Sequence, residues 1–112
     1  MNRDPREYVE HIATSMTYIA SWVAEGRERF NADVRTQAAL IRKLQELTES
    51  VGRLEPLLAD KYEAVPWREV RAFRNVIVHD YLGLNLDRIW EIAAHRLPEL
   101  KPHIERMARD LG

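Results

Sequence analysis

The sequence has 112 residues, 46% apolar and 31% charged, which is typical of one soluble globular domain spanning residues 1–112. The absence of cysteine excludes disulfides and thiolate metal sites. A formal net charge of −1 excludes nucleic-acid binding through overall positive charge, so any phosphate-binding role needs a local arrangement of cations.

The first predicted helix begins at Asp4-Pro5, because Asp caps helices and Pro is tolerated at the first helical position. Apolar residues at helical spacing follow it, namely Val9, Ile12, Met16, Ile19 and Val23. Gly26 ends or loosens this helix, and Asn31 or Asp33 can cap the next one.

The second predicted helix carries an apolar stripe whose spacing alternates between fours and threes. Its members are Leu40, Leu44, Leu47, Val51, Leu54 and Leu58. Gly52 and Pro56 are poor residues for a helix interior, so they predict a kink or break near its end. A third helix is predicted to open at Pro66 and to run to about residues 78–81.

Gly83 and Asn85 separate the third helix from a fourth, which Asn85 or Asp87 can cap. The apolar residues of the fourth helix are Leu86, Ile89, Trp90, Ala93 and Leu97. Pro98 is predicted to close it, and a last short helix follows with Leu100, Ile104, Met107 and Leu111. No segment alternates with period two, so the predicted fold is all-α, an antiparallel bundle of four to five helices.

One face of the third helix is basic. On a helical wheel, an arc of about 140° contains no carboxylate. The arc carries Arg68, Arg71, Arg74, Asn75 and His79. Guanidinium groups suit phosphate oxygens, and histidine transfers protons near neutral pH. These groups are sufficient to cleave RNA through its own 2′-hydroxyl, with no metal ion and no protein nucleophile.

A purely structural interpretation explains the same residues. His79 near a helix C-terminus is a favourable partner for the helix dipole. Acids such as Glu46, Glu49 or Glu91 could cover the arginines, in which case the chain would be a helical dimer with a structural role. Tyr81 could be a half-buried packing residue with a hydrogen-bonded hydroxyl.

The segment Arg74-Asn75-Val76-Ile77-Val78-His79-Asp80-Tyr81 resembles the Arg-x4-His-x-Tyr signature of HEPN domains, in the HepT-like toxin branch. The flanking order of Pro66-Trp67 before it and Asp87 and Trp90 after it extends the resemblance over residues 66–90. The helix pattern fits this family over nearly the whole chain. The resemblance implies a HEPN-like homodimer in which two motif helices meet near the twofold axis and form one composite cleft.

The resemblance also implies roles for individual residues. Arg74 would hold the scissile phosphate, with Arg71 as a supporting cation, and His79 would be the general acid or base, oriented by Asn75. Tyr81 resembles the tyrosine that a cognate minimal nucleotidyltransferase antitoxin modifies with AMP. The chain would then be the ribonuclease toxin of a toxin–antitoxin pair. The alternative is a non-catalytic substrate-binding or regulatory subunit of a small nucleotidyltransferase.

Other candidate sites are weaker. His11, His95 and His103 lack the spacing of metal ligands, and no metal or other cofactor is predicted. Trp67 and Trp90 are interpreted as core or interface anchors and not as base-stacking platforms. No apolar run is long enough for a signal peptide or a membrane span, so we expect a cytoplasmic protein without a membrane partner.

Overall fold

The computed structural model describes residues 4–79 and 85–112, with the side chains of Val78 and His79 left out. These residues form α-helices joined by short connections, and the prediction of an all-α fold is confirmed. The helices are α1 (Pro5–Val23), α2 (Arg27–Ala32), α3 (Val34–Leu58), α4 (Trp67–His79), α5 (Leu86–Glu91) and α6 (Leu97–Leu111), with a π-helical segment at Ile92–Arg96. No helix in the described ranges has the length and apolar character needed to cross a membrane.

Side-chain caps set the starts of three helices. Asp4 accepts a hydrogen bond from the backbone N–H of Arg6 at 2.9 Å, as expected at the start of α1. Of the two candidates for the α3 cap, Asp33 takes the role, and it is preceded by the short helix α2, which the sequence pattern did not predict. Asn85 caps α5, whereas Asp87 forms a close ion pair with Arg27 and so ties α5 to α2.

The break predicted near Gly52 and Pro56 does not occur, because α3 continues through both residues to Leu58. Pro56 has no N–H to donate to the carbonyl of Gly52 four residues earlier, and its ring crowds that carbonyl. The buried side chains of Val51 and Leu54 hold this part of the helix against the core. Their packing outweighs the loss of one helical hydrogen bond.

The prediction that Pro98 closes a helix is also wrong. The backbone remains helical from α5 through the π-helical segment into α6, with Pro98 in the first turn of α6. Within the π-helical segment, the N–H of Leu97 donates to the carbonyl of Ile92, five residues back. This wider turn relieves the crowding that a proline ring imposes on the preceding turn, so the helix passes Pro98 without ending.

The core lies between α1 and α3, which run antiparallel, and α4 to α6 cover it. Two contacts fix the antiparallel direction, since His11 hydrogen bonds to Ser50 at 2.8 Å and Lys43 lies over the ring of Tyr18. The largest side chains with almost no exposure include Phe30, Ile12, Ile19, Leu40, Leu44, Leu47, Leu54, Ile77, Ile89, Leu100 and Met107. Most of the apolar stripes predicted for α1, α3, α5 and α6 are therefore buried.

The connection between α3 and α4 is anchored by two aromatic side chains. Tyr62 is only 3% exposed, and its hydroxyl donates to Asp110 of α6 at 2.9 Å. The indole N–H of Trp67 donates to the carbonyl of Tyr62 at 3.0 Å. These bonds hold the start of α4 in place and thereby set the position of every later residue of that helix.

We predict that replacement of Tyr62 changes how stability depends on pH. Burial, followed by the hydrogen bond to Asp110, raises the pKa of Tyr62 above its usual 10.0. This stabilisation is fully present below pH 10.0 and is lost as the pH rises through the raised pKa, because unfolding then releases a proton. In urea denaturation at alkaline pH, the free energy of unfolding should fall more steeply for the wild type than for Tyr62→Phe.

The matched control for this measurement is Tyr18→Phe, since Tyr18 is 49% exposed. This variant should keep the slope of the wild type. An equal alkaline slope for Tyr62→Phe and the wild type would contradict the role given to the buried phenol.

Candidate active site

The apolar face of α4 determines which of its residues point outward. Val70, Phe73 and Ile77 are buried, and Val76 is half-buried. Trp67 falls on the basic side of the helical wheel, yet it is only 7% exposed because it sits at the first turn and packs into the connection before α4. Trp67 and Trp90 are both core residues, which confirms their interpretation as anchors.

The predicted basic arc is solvent-exposed wherever the structure describes its side chains. These exposed residues are Arg68, Arg71, Arg74 and Asn75. Arg71 forms a close ion pair with Glu55 of α3, so part of the arc is neutralised from a neighbouring helix. The sequence did not indicate this partner, because Glu55 lies sixteen residues away along the chain.

Arg74 and Asn75 have no hydrogen-bond or ion-pair partner among residues 4–79 and 85–112. The three glutamates that could have neutralised the basic arc lie close to other cations. Glu46 lies next to Arg42 and Lys43, and Glu49 next to Arg53, while Glu91 lies next to His95 and Arg96. Arg74 is therefore available to an external anion.

The other two motif residues lie at or beyond the end of α4. His79 is the last residue of the helix, one turn after Asn75, and its side chain is outside the described part. Tyr81 also lies outside the described residues. Asn75 and His79 are four residues apart, so their backbone positions lie on the same side of α4.

Arg74 also lines a groove between α3 and α4 with a volume of about 530 Å³. Ile77 contributes to the same wall, and the α3 side is formed by Arg42, Gln45, Thr48, Glu49, Gly52 and Arg53. Arg42 and Arg53 were not among the residues predicted from the sequence. The available signal was their spacing of eleven residues, close to three helical turns, which places both on one side of α3.

The remaining histidines lie on different elements, His11 on α1, His95 on the π-helical segment and His103 on α6. His11 hydrogen bonds to Ser50, and His95 lies 3.9 Å from Glu91 in an exposed i,i+4 pair. Within the described part of the chain, no three His, Cys, Asp or Glu side chains are grouped so that they could hold a metal ion.

One known protein family matches nearly the whole chain. Residues 11–107 match the family described as ribonuclease HepT-like. The chain belongs to the HepT-like ribonuclease family. The resemblance drawn from the Arg74–Tyr81 segment is thus confirmed.

Similar proteins occur in Caldanaerobacter, Methanocaldococcus and Thermococcus. A provisionally named RNase of Caldanaerobacter subterraneus is 30% identical over 106 residues, covering 94% of this chain and 95% of its own. A provisionally named RNase of Methanocaldococcus jannaschii is 30% identical, with coverage of 97% and 91%. A provisionally named ribonuclease HepT of Thermococcus cleftensis is 28% identical, with coverage of 97% and 100%. No solved structure matches this chain significantly.

The difference between paired and unpaired arginines predicts different effects on stability. Arg74→Ala should change the free energy of unfolding by less than about 0.5 kcal/mol, because its side chain has no partner in the described structure. Arg71→Ala removes the ion pair with Glu55 and should lower it by about 0.5–1 kcal/mol at low salt. Urea denaturation measures both values.

High salt provides the internal control. Screening should reduce the effect of Arg71→Ala and leave that of Arg74→Ala unchanged. If Arg74→Ala proved the more destabilising variant, Arg74 would have a structural role and would not be a free anion-binding group.

Proposed function

We propose that this protein is an endoribonuclease that cleaves RNA through its own 2′-hydroxyl without a metal ion, and that it is the toxin of a toxin–antitoxin pair acting in the cytoplasm. The observation that carries the proposal is the exposed guanidinium of Arg74, which has no partner among the described residues, on a helix that ends at His79. Membership of the HepT-like ribonuclease family and the RNase names of the relatives support it.

In the proposed reaction, the 2′-oxygen of RNA attacks the adjacent phosphorus and loses its proton to a base. The bond from phosphorus to the 5′-oxygen breaks, and the leaving oxygen takes up a proton. The products are a 2′,3′-cyclic phosphate and a 5′-hydroxyl. Arg74 binds the non-bridging oxygens, where negative charge increases in the transition state. His79 transfers one of the protons, and Asn75 holds its ring in position.

The geometry of α4 favours a site built from two copies of the chain. Arg74 and His79 are five residues apart, which separates them by about 140° around the helix axis. In one copy they lie at opposite edges of the basic arc, so they do not face the same point. If two copies of α4 meet across a twofold axis, Arg74 of one copy can approach His79 of the other. We therefore propose a homodimer with a composite cleft.

In such a homodimer, the basic arcs of the two copies would face each other. The four described residues of the arc include three arginines, and two such faces repel each other unless anions lie between them. Phosphate groups of a bound RNA strand would supply that negative charge. The same argument makes Arg71 a secondary cation, since Glu55 already neutralises part of its charge.

Regulation is proposed to act at Tyr81, two residues beyond His79 in the sequence. A cognate minimal nucleotidyltransferase antitoxin would transfer AMP from ATP to the phenolic oxygen, which loses its proton as pyrophosphate leaves the α-phosphorus. The added phosphates place negative charge where the substrate phosphate binds, and repulsion then closes the site to RNA.

The deciding experiment incubates purified, unmodified protein with total cellular RNA in EDTA. The wild type should release fragments with 2′,3′-cyclic phosphate ends. His79→Ala should lose about 10²–10⁴ in rate because it removes the proton transfer. Arg74→Ala should lose about 10²–10³, the usual cost of removing one group that stabilises developing charge.

Two matched variants test whether the losses are specific. His95→Ala and Arg109→Ala replace an exposed histidine and an exposed arginine elsewhere on the surface, and both should cleave like the wild type. Full activity in His79→Ala would refute the assignment of the site. Absence of cleavage by the unmodified wild type would favour the alternative, a non-catalytic subunit of a nucleotidyltransferase.

A separate prediction concerns Tyr81. Incubation with the cognate nucleotidyltransferase and ATP should increase the mass of the protein by one or more AMP groups and abolish RNA cleavage. Tyr81→Phe should keep its mass and remain active after the same treatment. Tyr18→Phe is the matched control, because Tyr18 is exposed on α1 and its loss should leave modification unchanged. Peptide mapping that located the AMP on another residue would contradict the proposal.

A further inference from the structure

The groove between α3 and α4 contains cations from both of its walls. Arg74 lies on the α4 side, and Arg42 and Arg53 lie on the α3 side. Glu49 is the one carboxylate among the residues that line it, so the described lining has three positive charges and one negative charge. This local excess occurs in a chain whose formal net charge is −1. An excess of arginines at a concave surface favours a ligand with several phosphates.

The spacing of the α3 arginines suits an extended ligand. Arg42 and Arg53 are eleven residues apart, which corresponds to roughly 16 Å along the helix axis and to nearly the same side of the helix. Arg74 faces them from the opposite wall. An anion bound along the groove would therefore meet cations at separate points along its length, as the backbone of a nucleic acid does.

The acids next to these arginines do not hold them firmly. The guanidinium nitrogens of Arg42 and Arg53 lie 3.6 Å from the carboxylates of Glu46 and Glu49, respectively. The side chains of Arg42 and Arg53 are 71% and 62% exposed. The Arg53–Glu49 pair is exposed on both sides, and i,i+4 pairs of this kind contribute little to stability, so exchanging Glu49 for a phosphate requires little energy. Arg42 shares the half-buried Glu46 with Lys43, which lies 3.1 Å from that carboxylate and remains as its partner when Arg42 binds a phosphate.

Gly52 keeps the groove open. It lies in the interior of α3, where alanine would be the more stable residue, and a Cβ atom built on it would meet no other atom within 4 Å. Neither packing nor backbone geometry in the described structure therefore requires glycine at this position. Its effect is to leave the α3 wall without a side chain between Glu49 and Arg53.

We propose that this groove binds the sugar–phosphate backbone of single-stranded RNA next to the scissile phosphate, with Arg53 and Arg42 binding two flanking phosphates that are not adjacent in the strand. The inference rests on the proposed ribonuclease function and extends it to α3. A volume of about 530 Å³ lies in the range of small-ligand sites, so the groove has room for part of one RNA strand. Glu49 competes with the RNA for Arg53.

The test measures binding without cleavage. Fluorescence anisotropy of a labelled single-stranded RNA is recorded with the full chain carrying His79→Ala, at several salt concentrations. Addition of Arg53→Ala or Arg42→Ala should weaken binding about three- to tenfold and reduce the slope of log affinity against log salt by about 0.7, the contribution of one phosphate contact to a single strand. Glu49→Gln should strengthen binding.

Two further variants separate binding from folding. Gly52→Leu adds a good helix-forming side chain into the groove, so it should weaken RNA binding without lowering the melting temperature. Ala108→Leu adds the same side chain at an exposed position of α6 and should leave the affinity unchanged. Arg109→Ala, also on α6, controls for loss of one surface charge and should keep both the affinity and the salt slope.

The outcomes distinguish this inference from the function on which it rests. If the His79→Ala protein binds RNA and none of the groove variants alters the affinity or the slope, the groove assignment is overturned and the ribonuclease proposal is unaffected. If this protein binds no RNA and the wild type cleaves none, both fall together. Weakened binding by the arginine variants and by Gly52→Leu, with unchanged controls, supports the groove.

Discussion

The burial of one face of α4 is the constraint on which the candidate site depends. Val70, Phe73 and Ile77 are packed into the core, and this fixes the rotation of the helix about its axis. The start of the helix is fixed as well, because Trp67 donates to the carbonyl of Tyr62 and the hydroxyl of Tyr62 donates to Asp110. With its rotation and its starting point both set, α4 has no freedom to turn its arginines inward.

The electrostatics of the outward face follow from neighbouring helices as much as from α4. Glu55 of α3 reaches Arg71, whereas no described acid reaches Arg74. Two arginines one turn apart on the same helix thus differ in what they can bind. In a chain with almost no net charge, this difference concentrates positive potential in one place. The groove beside Arg74 extends the same potential onto α3.

The residues that could be predicted from the sequence are those whose environment depends on their own helix. The exposed arc of α4 and most of the buried apolar stripes follow from periodicity alone. The helix ends expected near Pro56 and at Pro98 do not occur because the effect of a proline depends on packing: the buried neighbours Val51 and Leu54 keep α3 continuous at Pro56, and a π-helical turn accommodates Pro98.

Features that join two helices could not be predicted from one sequence. The pairing of Arg71 with Glu55 needs the packing of α4 on α3, and so does the groove that brings Arg53 and Arg74 together. The short helix α2 was missed for a related reason. It has only six residues, too few for a periodic pattern, and it is held by the burial of Phe30 against Trp90 and by the ion pair to Asp87.

The π-helical segment at Ile92–Arg96 is a place where the sequence can gain or lose one residue with little effect on the fold. A π-helical turn holds one more residue than the α-helical turn it replaces, so it absorbs a single inserted residue without rotating the helix beyond it. The buried residues Ile89, Ala93 and Leu97, each four apart, stay on the core side and continue into Leu100 and Ile104. Insertion or loss of a residue here is confined to one turn of the last helix. Such an insertion or deletion therefore leaves the register of the other helices and the position of Arg74 unchanged.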